Sequence, residues 1–202
     1  MFEKIKMTAT LTTSTTSATV GDYKSRVLSL STAEYQKKED EKFTKLYDNW
    51  TYWAHLPHDT DWTDKSYKEI MTFNTAEAMV ALNETIPEDM VKNCMLFLMR
   101  KGIKPIWEDP KNRNGGCFSY KVPNKNVYQA WKDLAYHLVG ETLTNDRRLE
   151  RYINGITISP KKSFCIVKIW LTNCLIQKVD KIVDIEGLDK TGVIFKKQTP
   201  EY

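Results

Sequence analysis

A tryptophan stands directly before a glutamate at Trp107 and Glu108, in a run from Gly102 to Asn112 that the sequence predicts to be a loop. An indole face attracts a flat cation and covers its surface. A carboxylate beside that face accepts two parallel N–H donors at charge-assisted strength. N7-methylguanine suits both groups, because methylation makes the ring a cation and its N1–H and N2–H point the same way. The pair therefore predicts a site for a methylated guanine base.

A second aromatic wall is available at Trp62, a large indole within the polar run from Asp59 to Asp64. Trp62 and Trp107 together predict a sandwich around the base. Each residue also has a plain structural interpretation. Trp62 alone would anchor a loop, and Glu108 alone would be a solvated surface carboxylate.

The bulk composition limits the classes of function. The chain has 202 residues, 41% of them hydrophobic, with a net charge of +4, which predicts one domain with a tail. This charge permits an anionic ligand but is not the dense basic stripe of a duplex-binding protein, so we expect no DNA partner. No apolar run is long enough to span a bilayer, and the N-terminus lacks a signal-peptide pattern, so we expect a cytoplasmic protein with no membrane partner.

The sequence offers no metal, cofactor or catalytic motif. The four cysteines form no CxxC pair and have no histidine at ligand spacing, so we expect no metal and no cofactor. We interpret Cys94 and Cys165 as small buried hydrophobes in a reducing compartment. There is no glycine-rich phosphate loop, no paired carboxylates at motif spacing and no nucleophile with a base, so an enzyme is disfavoured.

The elements that must position these residues follow from hydrophobic periodicity. Residues 1–42 read as a disordered or loosely docked tail, rich in threonine and serine, and residues 43–202 as the folded domain. Three helices are predicted, from Asn74 to Glu84, Asn124 to Gly140 and Cys174 to Glu186, with Asn74 and Asn124 as caps. Strands are predicted at Leu46–Leu56, Tyr67–Phe73, Cys94–Arg100, Cys117–Val122, Tyr152–Ile158, Ser163–Leu171 and Val193–Lys197, with a polar loop over Thr144–Glu150. This pattern predicts an α+β fold with one antiparallel sheet, helices on one face, and the other face free for a ligand.

The order and spacing of these landmarks resemble the initiation factor 4E family, which binds the 5′ cap of mRNA. The resemblance covers about residues 46–174, and more weakly the rest. It is carried by Trp50, Trp53, Trp62, Phe73, Pro105 to Asp109, Lys111-Asn112, Gly115-Gly116, Trp131, Gly140-Glu141 and Ile169-Trp170. The family fold is a curved antiparallel sheet of about seven to eight strands, backed on its convex face by three helices.

The resemblance implies a role for each residue of the base site. Trp62 and Trp107 would sandwich the methylated base, and Glu108 would accept its N1–H and N2–H. Trp170 would pack near the N7-methyl group, and the backbone N–H of Trp107 would donate to the base carbonyl. The expected partner is therefore capped mRNA, for translation initiation or its regulation.

The residues that the resemblance assigns to the cap phosphates depart from the family pattern. Cys117 stands where the family has an arginine, and Ile166 where it has a lysine. Lys161, with Lys162 beside it, replaces an arginine that would grip bidentately. We expect fewer and weaker contacts with the cap phosphates. Contacts of Arg113, Arg147, Arg148 or Arg151 with later nucleotides would add to the affinity. The chain also ends soon after the last predicted strand, so we expect no C-terminal loop near the phosphates.

The dorsal surface, where the family binds a helical peptide of the scaffold protein initiation factor 4G or of competing inhibitors, departs as well. Val80 replaces the family's tryptophan on the first helix. The surface is implied at Ala76, Val80, Lys132, Asp133, Tyr136 and Val139. Either the usual peptide binds poorly or a different partner has replaced it. These traits resemble the short, divergent members from kinetoplastid protists. An adaptor or repressor of the same fold, with weak cap binding, is the alternative function.

Overall fold

A single seven-stranded antiparallel sheet forms the frame of the protein. The computed structural model describes residues 43–198. The sheet order is β2-β1-β3-β5-β6-β4-β7. The strands are β1 (Lys45–His55), β2 (Tyr67–Thr75), β3 (Met95–Arg100), β4 (Gly116–Pro123), β5 (Ile153–Pro160), β6 (Phe164–Leu171) and β7 (Ile194–Lys197). The predicted fold class is confirmed.

Within residues 43–198, four α-helices and two 3₁₀ turns connect the strands. The helices are α1 (Ala76–Thr85), α2 (Glu88–Asn93), α3 (Asn124–Val139) and α4 (Arg147–Glu150), and the 3₁₀ turns are Asp64–Ser66 and Val179–Lys181. In α3, Val127, Trp131, Leu134 and Leu138 are all buried, because their spacing places them on one stripe. The helix that the apolar periodicity predicts most clearly is therefore confirmed.

The two faces of the sheet carry cores of unequal size. On the helix face, Tyr52, Leu98 and Val167 belong to a large apolar core shared with the helices. On the other face, which we call the open face, Phe97, Met99, Ile103 and Trp170 form a small cluster, with Trp53, Tyr67 and Met95 packed against it. Successive residues of a strand alternate between these faces, so the strands present side chains both to the core and to a ligand.

Two predicted helix caps are wrong in detail. The N-cap of α1 is Thr75, whose Oγ1 accepts from the Ala78 N–H, and not Asn74. Glu77 does not complete a capping box there, because its carboxylate accepts from the Thr44 N–H at 3.0 Å. Asn124 is the first residue of α3 and its side chain does not cap the helix. The cap of α1 thus lies one residue further along the chain than predicted, and at α3 Pro123 occupies the N-cap position with no side-chain cap.

The helix predicted from Cys174 to Glu186 is wrong. The segment is irregular and contains only the 3₁₀ turn Val179–Lys181. Its backbone pairs with other segments, because the Val183 N–H donates to the Leu143 carbonyl and Ile182 bridges to Thr144. Ile176 and Ile185 are buried without a helix. The periodicity came from β-branched residues, which have modest helix propensity. Tertiary packing therefore decided the conformation of this segment against the helical pattern.

Other predictions have mixed outcomes. The polar loop expected over Thr144–Glu150 contains α4, and α2 was not predicted. Cys94 and Cys165 are buried free thiols, as expected.

The predicted tail, residues 1–42, lies outside the described residues. Among residues 43–198, no helix is long and apolar enough to cross a membrane, and no group of three or more His, Cys, Asp or Glu side chains could hold a metal ion.

Candidate functional site

Trp62 lies in a short loop between β1 and β2. Aspartate side chains stabilise consecutive turns in this loop. The Asp59 Oδ1 accepts from the Asp61 N–H at 2.9 Å, and the Asp61 Oδ1 accepts from the Thr63 N–H at 2.8 Å. The hydrogen bond from the Thr63 N–H, and a second one from the Thr63 hydroxyl, lower the pKa of the Asp61 carboxyl. Side-chain acceptors two residues upstream replace regular structure here. They fix the backbone on both sides of an indole that is 59% exposed.

His55 supports Trp62 from behind. The two rings stack at a centroid distance of 4.3 Å and an interplanar angle of 8°, and His55 is only 2% exposed. The His55 Nε2 is 2.9 Å from the Asp61 carbonyl oxygen, and Tyr67 meets the imidazole edge-on at 5.4 Å. Because one face of the Trp62 indole is covered by His55, only the opposite face is free to stack on a ligand.

The loop that carries Trp107 is held by buried polar side chains. The Asp109 carboxylate accepts from the backbone N–H groups of Lys104 and Lys111, at 2.9 and 2.8 Å. The Asn112 side chain is fully buried and donates to the carbonyls of Lys104 and Ile106, both at 2.9 Å. Each satisfied bond contributes about 0.5–1.5 kcal/mol, and each would be costly to leave unmade. The loop is therefore preorganised.

Asn154, on β5, joins this network to the sheet. Its Nδ2 donates to the Lys111 carbonyl at 2.8 Å and to the Asn112 Oδ1 at 2.9 Å, and the residue is buried. The role of Asn154 was not predicted from the sequence. The available signal was an amide side chain near the start of a strand that is rich in isoleucine.

The Trp62 and Trp107 loops converge over the open face. Ile103 packs into the open-face cluster, which holds the start of the second loop against the sheet. Lys104 forms an ion pair with Asp64, which links the two loops. Burial raises the pKa of the Tyr67 hydroxyl, and the negative charges of Glu108 and Asp64 raise it further. Glu108 therefore lies near enough to the Tyr67 hydroxyl to act on it electrostatically.

Trp107 and Glu108 are available to a ligand. Trp107 is 51% exposed, and the Glu108 side chain is also exposed. Within residues 43–198, no cation pairs with the Glu108 carboxylate. Two indoles that are each more than half exposed are unusual, because tryptophan is highly buried on average. We call Trp62, Trp107 and Glu108 the base slot: two accessible aromatic faces and an unpaired carboxylate, which can receive a flat cation with N–H donors.

Trp170 lies at the floor of the open face rather than in a loop. It is 3% exposed and packs with Phe97, Met99 and Ile103. Its Nε1–H is buried and has no hydrogen-bond acceptor among the described residues, and the same holds for Trp53. Trp50 and Trp131 belong to the large core on the helix face. The six tryptophans thus divide into two exposed and four packed indoles.

The residues predicted for the phosphates occupy the far half of the sheet. Lys161 and Lys162 are exposed in the turn between β5 and β6. Cys117 is buried on β4, directly opposite Trp170 on β6. Of the arginines predicted to help, Arg148 is paired with Asp146 at 2.7 Å. Arg147 and Arg151 line a cavity of about 470 Å³ together with Tyr47, Asp48, Arg100, Gly140, Glu141 and Glu150.

The predicted dorsal surface lies on α1 and α3. Val80 is 48% exposed on α1, and Lys132 on α3 forms a 2.5 Å ion pair with Glu84 of α1. The Gln129 side chain donates to Asp133 at 2.8 Å. Ala76 and Tyr136 are half-buried, and Val139 is buried in the core, so a partner would meet mainly Val80 and the polar groups of α3.

Comparisons with known proteins show similarity in sequence and in fold. The family model described as eukaryotic initiation factor 4E matches residues 45–198. A mimivirus protein, the eukaryotic translation initiation factor 4E homolog of Acanthamoeba polyphaga mimivirus, is 50% identical over 63 residues, which are 31% of this chain and 23% of that protein. Eukaryotic translation initiation factor 4E-2 of Schizosaccharomyces pombe is 30% identical over 171 residues, 78% of this chain and 65% of that protein. The chain thus spans less than two thirds of the length of these two relatives.

A solved structure shows the same fold. The schistosome initiation factor 4E, crystallised with the cap analogue m7GpppG and a 4E-binding protein, superimposes with a TM-score of 0.61 at 26% identity, covering 69% of this chain and 78% of that one.

Proposed function

The chain belongs to the eukaryotic initiation factor 4E family, and from this premise we propose that it binds the 7-methylguanosine 5′ cap of mRNA in translation initiation or its regulation. Proteins of this family are initiation factors rather than enzymes. The schistosome relative was crystallised with a cap analogue. We further propose that this chain binds the cap in the cytoplasm, through the base slot.

One observation carries the proposal. Trp62 and Trp107 are both more than half exposed, while the loops that carry them are fixed by hydrogen bonds and by contact with the open face. A rigid loop that displays an indole to solvent gains nothing in folding from that exposure. It does avoid the ordering cost that a flexible loop would pay on binding. The unpaired Glu108 supplies the acceptor that the Watson–Crick edge of guanine needs.

The base slot distinguishes methylated from unmethylated guanine by charge. A cation on an indole face gains about 0.5–2 kcal/mol beyond what a neutral ring gains. Two faces would double this difference, without any pocket shaped for the methyl group. Glu108 adds a preference for guanine, because a carboxylate accepts from the N1–H and N2–H of guanine but finds no matching pair of donors on adenine.

Intrinsic tryptophan fluorescence during titration with 7-methyl-GTP and, in parallel, GTP tests the proposal. We expect strong quenching by the methylated nucleotide and weak quenching by GTP. Trp107→Ala should abolish retention on cap resin, and Glu108→Gln should weaken it while leaving both indoles in place. Trp131→Phe is the matched control, since that indole is buried in the core on the helix face. Equal quenching by both nucleotides would refute the proposal.

An adaptor that works mainly through protein partners is the second candidate, favoured by the thin phosphate clamp at Cys117. The schistosome relative was crystallised with a 4E-binding protein. We propose that a helical peptide of that kind, or of an initiation factor 4G-type scaffold, binds this chain across Val80 and α3. Val80→Asp should then remove peptide binding and leave cap quenching intact. Cap affinity no better than GTP affinity would favour the adaptor function over cap binding.

A further inference from the structure

We propose that Lys168 and Lys196 bind the triphosphate of the cap, an inference that rests on the proposed function. They would take the place of the family arginine whose position is occupied here by Cys117. Neither position belongs to the set that the family resemblance assigns to the phosphates. Strand register brings both lysines to the open face beside Trp170.

The register places the two lysines in adjacent rows of the sheet. Trp170 on β6 pairs with Cys117 on β4, and Cys117 pairs with Lys196 on β7. Directly paired residues of an antiparallel sheet share a face. Lys196 therefore lies on the open face, two strands from Trp170, with about 10 Å between their Cα atoms.

Lys168 occupies the neighbouring row. It precedes Trp170 by two residues on β6, so it points to the same face at about 6.6 Å along the strand. Its partner on β4 is Ser119, and on β5 it is Thr157. The Thr157 Oγ1 is buried without a hydrogen-bond partner among the described residues. Lys168, Ser119 and Lys196 thus form a polar arc around the Cys117 position.

Neither lysine forms an ion pair with another side chain of residues 43–198. The charge of Lys121, the basic residue of β4, already has an internal contact, because its Nζ lies 4.6 Å from the centroid of the Phe164 ring. Lys104 differs as well, since it pairs with Asp64. Lys168 is half-buried and Lys196 is exposed, and ammonium groups without an internal partner are suited to an anion.

The charge pattern of the open face sets the direction of the phosphates. The loop side is acidic, with Asp59, Asp61, Asp64 and Glu108 around the base slot. These carboxylates attract a cationic base and repel phosphates. Trp170 and Ile103 touch in one cluster, so the floor of the sheet continues from the Trp107 loop toward β4 and β7. A triphosphate leaving the slot away from the acidic loops reaches Lys168 and then Lys196.

The test compares 7-methyl-GMP, 7-methyl-GTP and GTP binding to the full chain and its lysine variants. Lys168→Met and Lys196→Met each remove one ammonium and keep an apolar stem. Each should weaken 7-methyl-GTP about threefold to tenfold, as expected for one charge-assisted contact. The effect on 7-methyl-GMP should be smaller, and the preference for 7-methyl-GTP over GTP should persist. The salt dependence of 7-methyl-GTP binding should also decrease.

Lys197→Met is the matched control. Lys197 follows Lys196 on the same strand but pairs with Gly116 and lies on the opposite face, so its loss should leave all three affinities unchanged. If the double variant of Lys168 and Lys196 bound 7-methyl-GTP as the wild type does, or if only Lys161→Met and Lys162→Met weakened it, the inference would be overturned. If the wild type bound 7-methyl-GTP and GTP alike, the proposed function would fail instead.

Discussion

The two faces of the sheet are built by different physical means. The helix face is held by a continuous apolar core that includes the indoles of Trp50 and Trp131. The open face has only a small cluster. Its two loops are fixed largely by hydrogen bonds that the Asp61 and Asp109 carboxylates accept and that the Asn112 amide donates. Apolar packing supplies most of the stability of the domain, whereas directional bonds fix the position of a few exposed groups.

Because the two faces are built differently, stability should depend mainly on the helix face and binding mainly on the open face. A change on the helix face should alter the free energy of unfolding and leave the ligand site of the folded protein intact. A change on the open face should alter binding more than stability. Three substitutions test this separation, in decreasing order of expected effect.

Trp131→Ala should give the largest change. The indole is buried, meets Tyr52 edge-on at 6.3 Å, and donates its Nε1–H to the Tyr52 hydroxyl at 3.0 Å. Burial raises the Tyr52 pKa well above its usual range, so the hydroxyl stays neutral and would lose its partner. We expect a loss of about 3–5 kcal/mol in urea unfolding. The folded fraction should keep its affinity for 7-methyl-GTP, and a matching loss of affinity would break the separation.

Asn112→Ala should give an intermediate effect on both properties. The buried side chain donates to two loop carbonyls and accepts from Asn154. In the variant the two carbonyls would lose this donor, and the Asn154 amide would lose one of its two acceptors. We expect about 1–3 kcal/mol of destabilisation and at least a tenfold loss of 7-methyl-GTP affinity, as Trp107 loses its fixed position. Asn114→Ala, an exposed change in the same loop, is the control. Unaltered cap affinity in Asn112→Ala would show that the network does not position Trp107.

His55→Ala should give the smallest effect. The imidazole stacks on the inner face of Trp62, and an aromatic pair contributes about 0.5–1.5 kcal/mol. We expect a loss of roughly twofold to tenfold in 7-methyl-GTP affinity, measured by fluorescence titration. His55→Phe retains the stack and should recover most of the affinity. Equal weakening by both substitutions would instead point to the hydrogen bond between Nε2 and the Asp61 carbonyl.

The predictable parts of the molecule are those encoded over short stretches. The stripe of Val127, Trp131, Leu134 and Leu138 predicted α3, because helical spacing is a local property. The pair Trp107-Glu108 and the polar run around Trp62 placed two indoles in loops for the same reason, and both indoles are exposed. Their role in binding a base stays a prediction.

The parts that sequence analysis missed depend on long-range pairing. Asn154 gains its role only when β5 lies beside the Trp107 loop. Lys168 and Lys196 join Trp170 on one face only through the register of three strands, and a shift of one residue would turn either lysine away. The segment from Cys174 to Glu186 has helical periodicity but hydrogen-bonds elsewhere.

The short seventh strand has a consequence for self-association. β7 is one of the two edges of the sheet, and it is only four residues long. Lys196 and Lys197 place one ammonium on each face of this edge. A strand from another copy that paired with β7 would have to pass both charges, which is a common protection against edge-to-edge aggregation. Neutralising Lys196 would therefore also remove a guard against unwanted strand pairing.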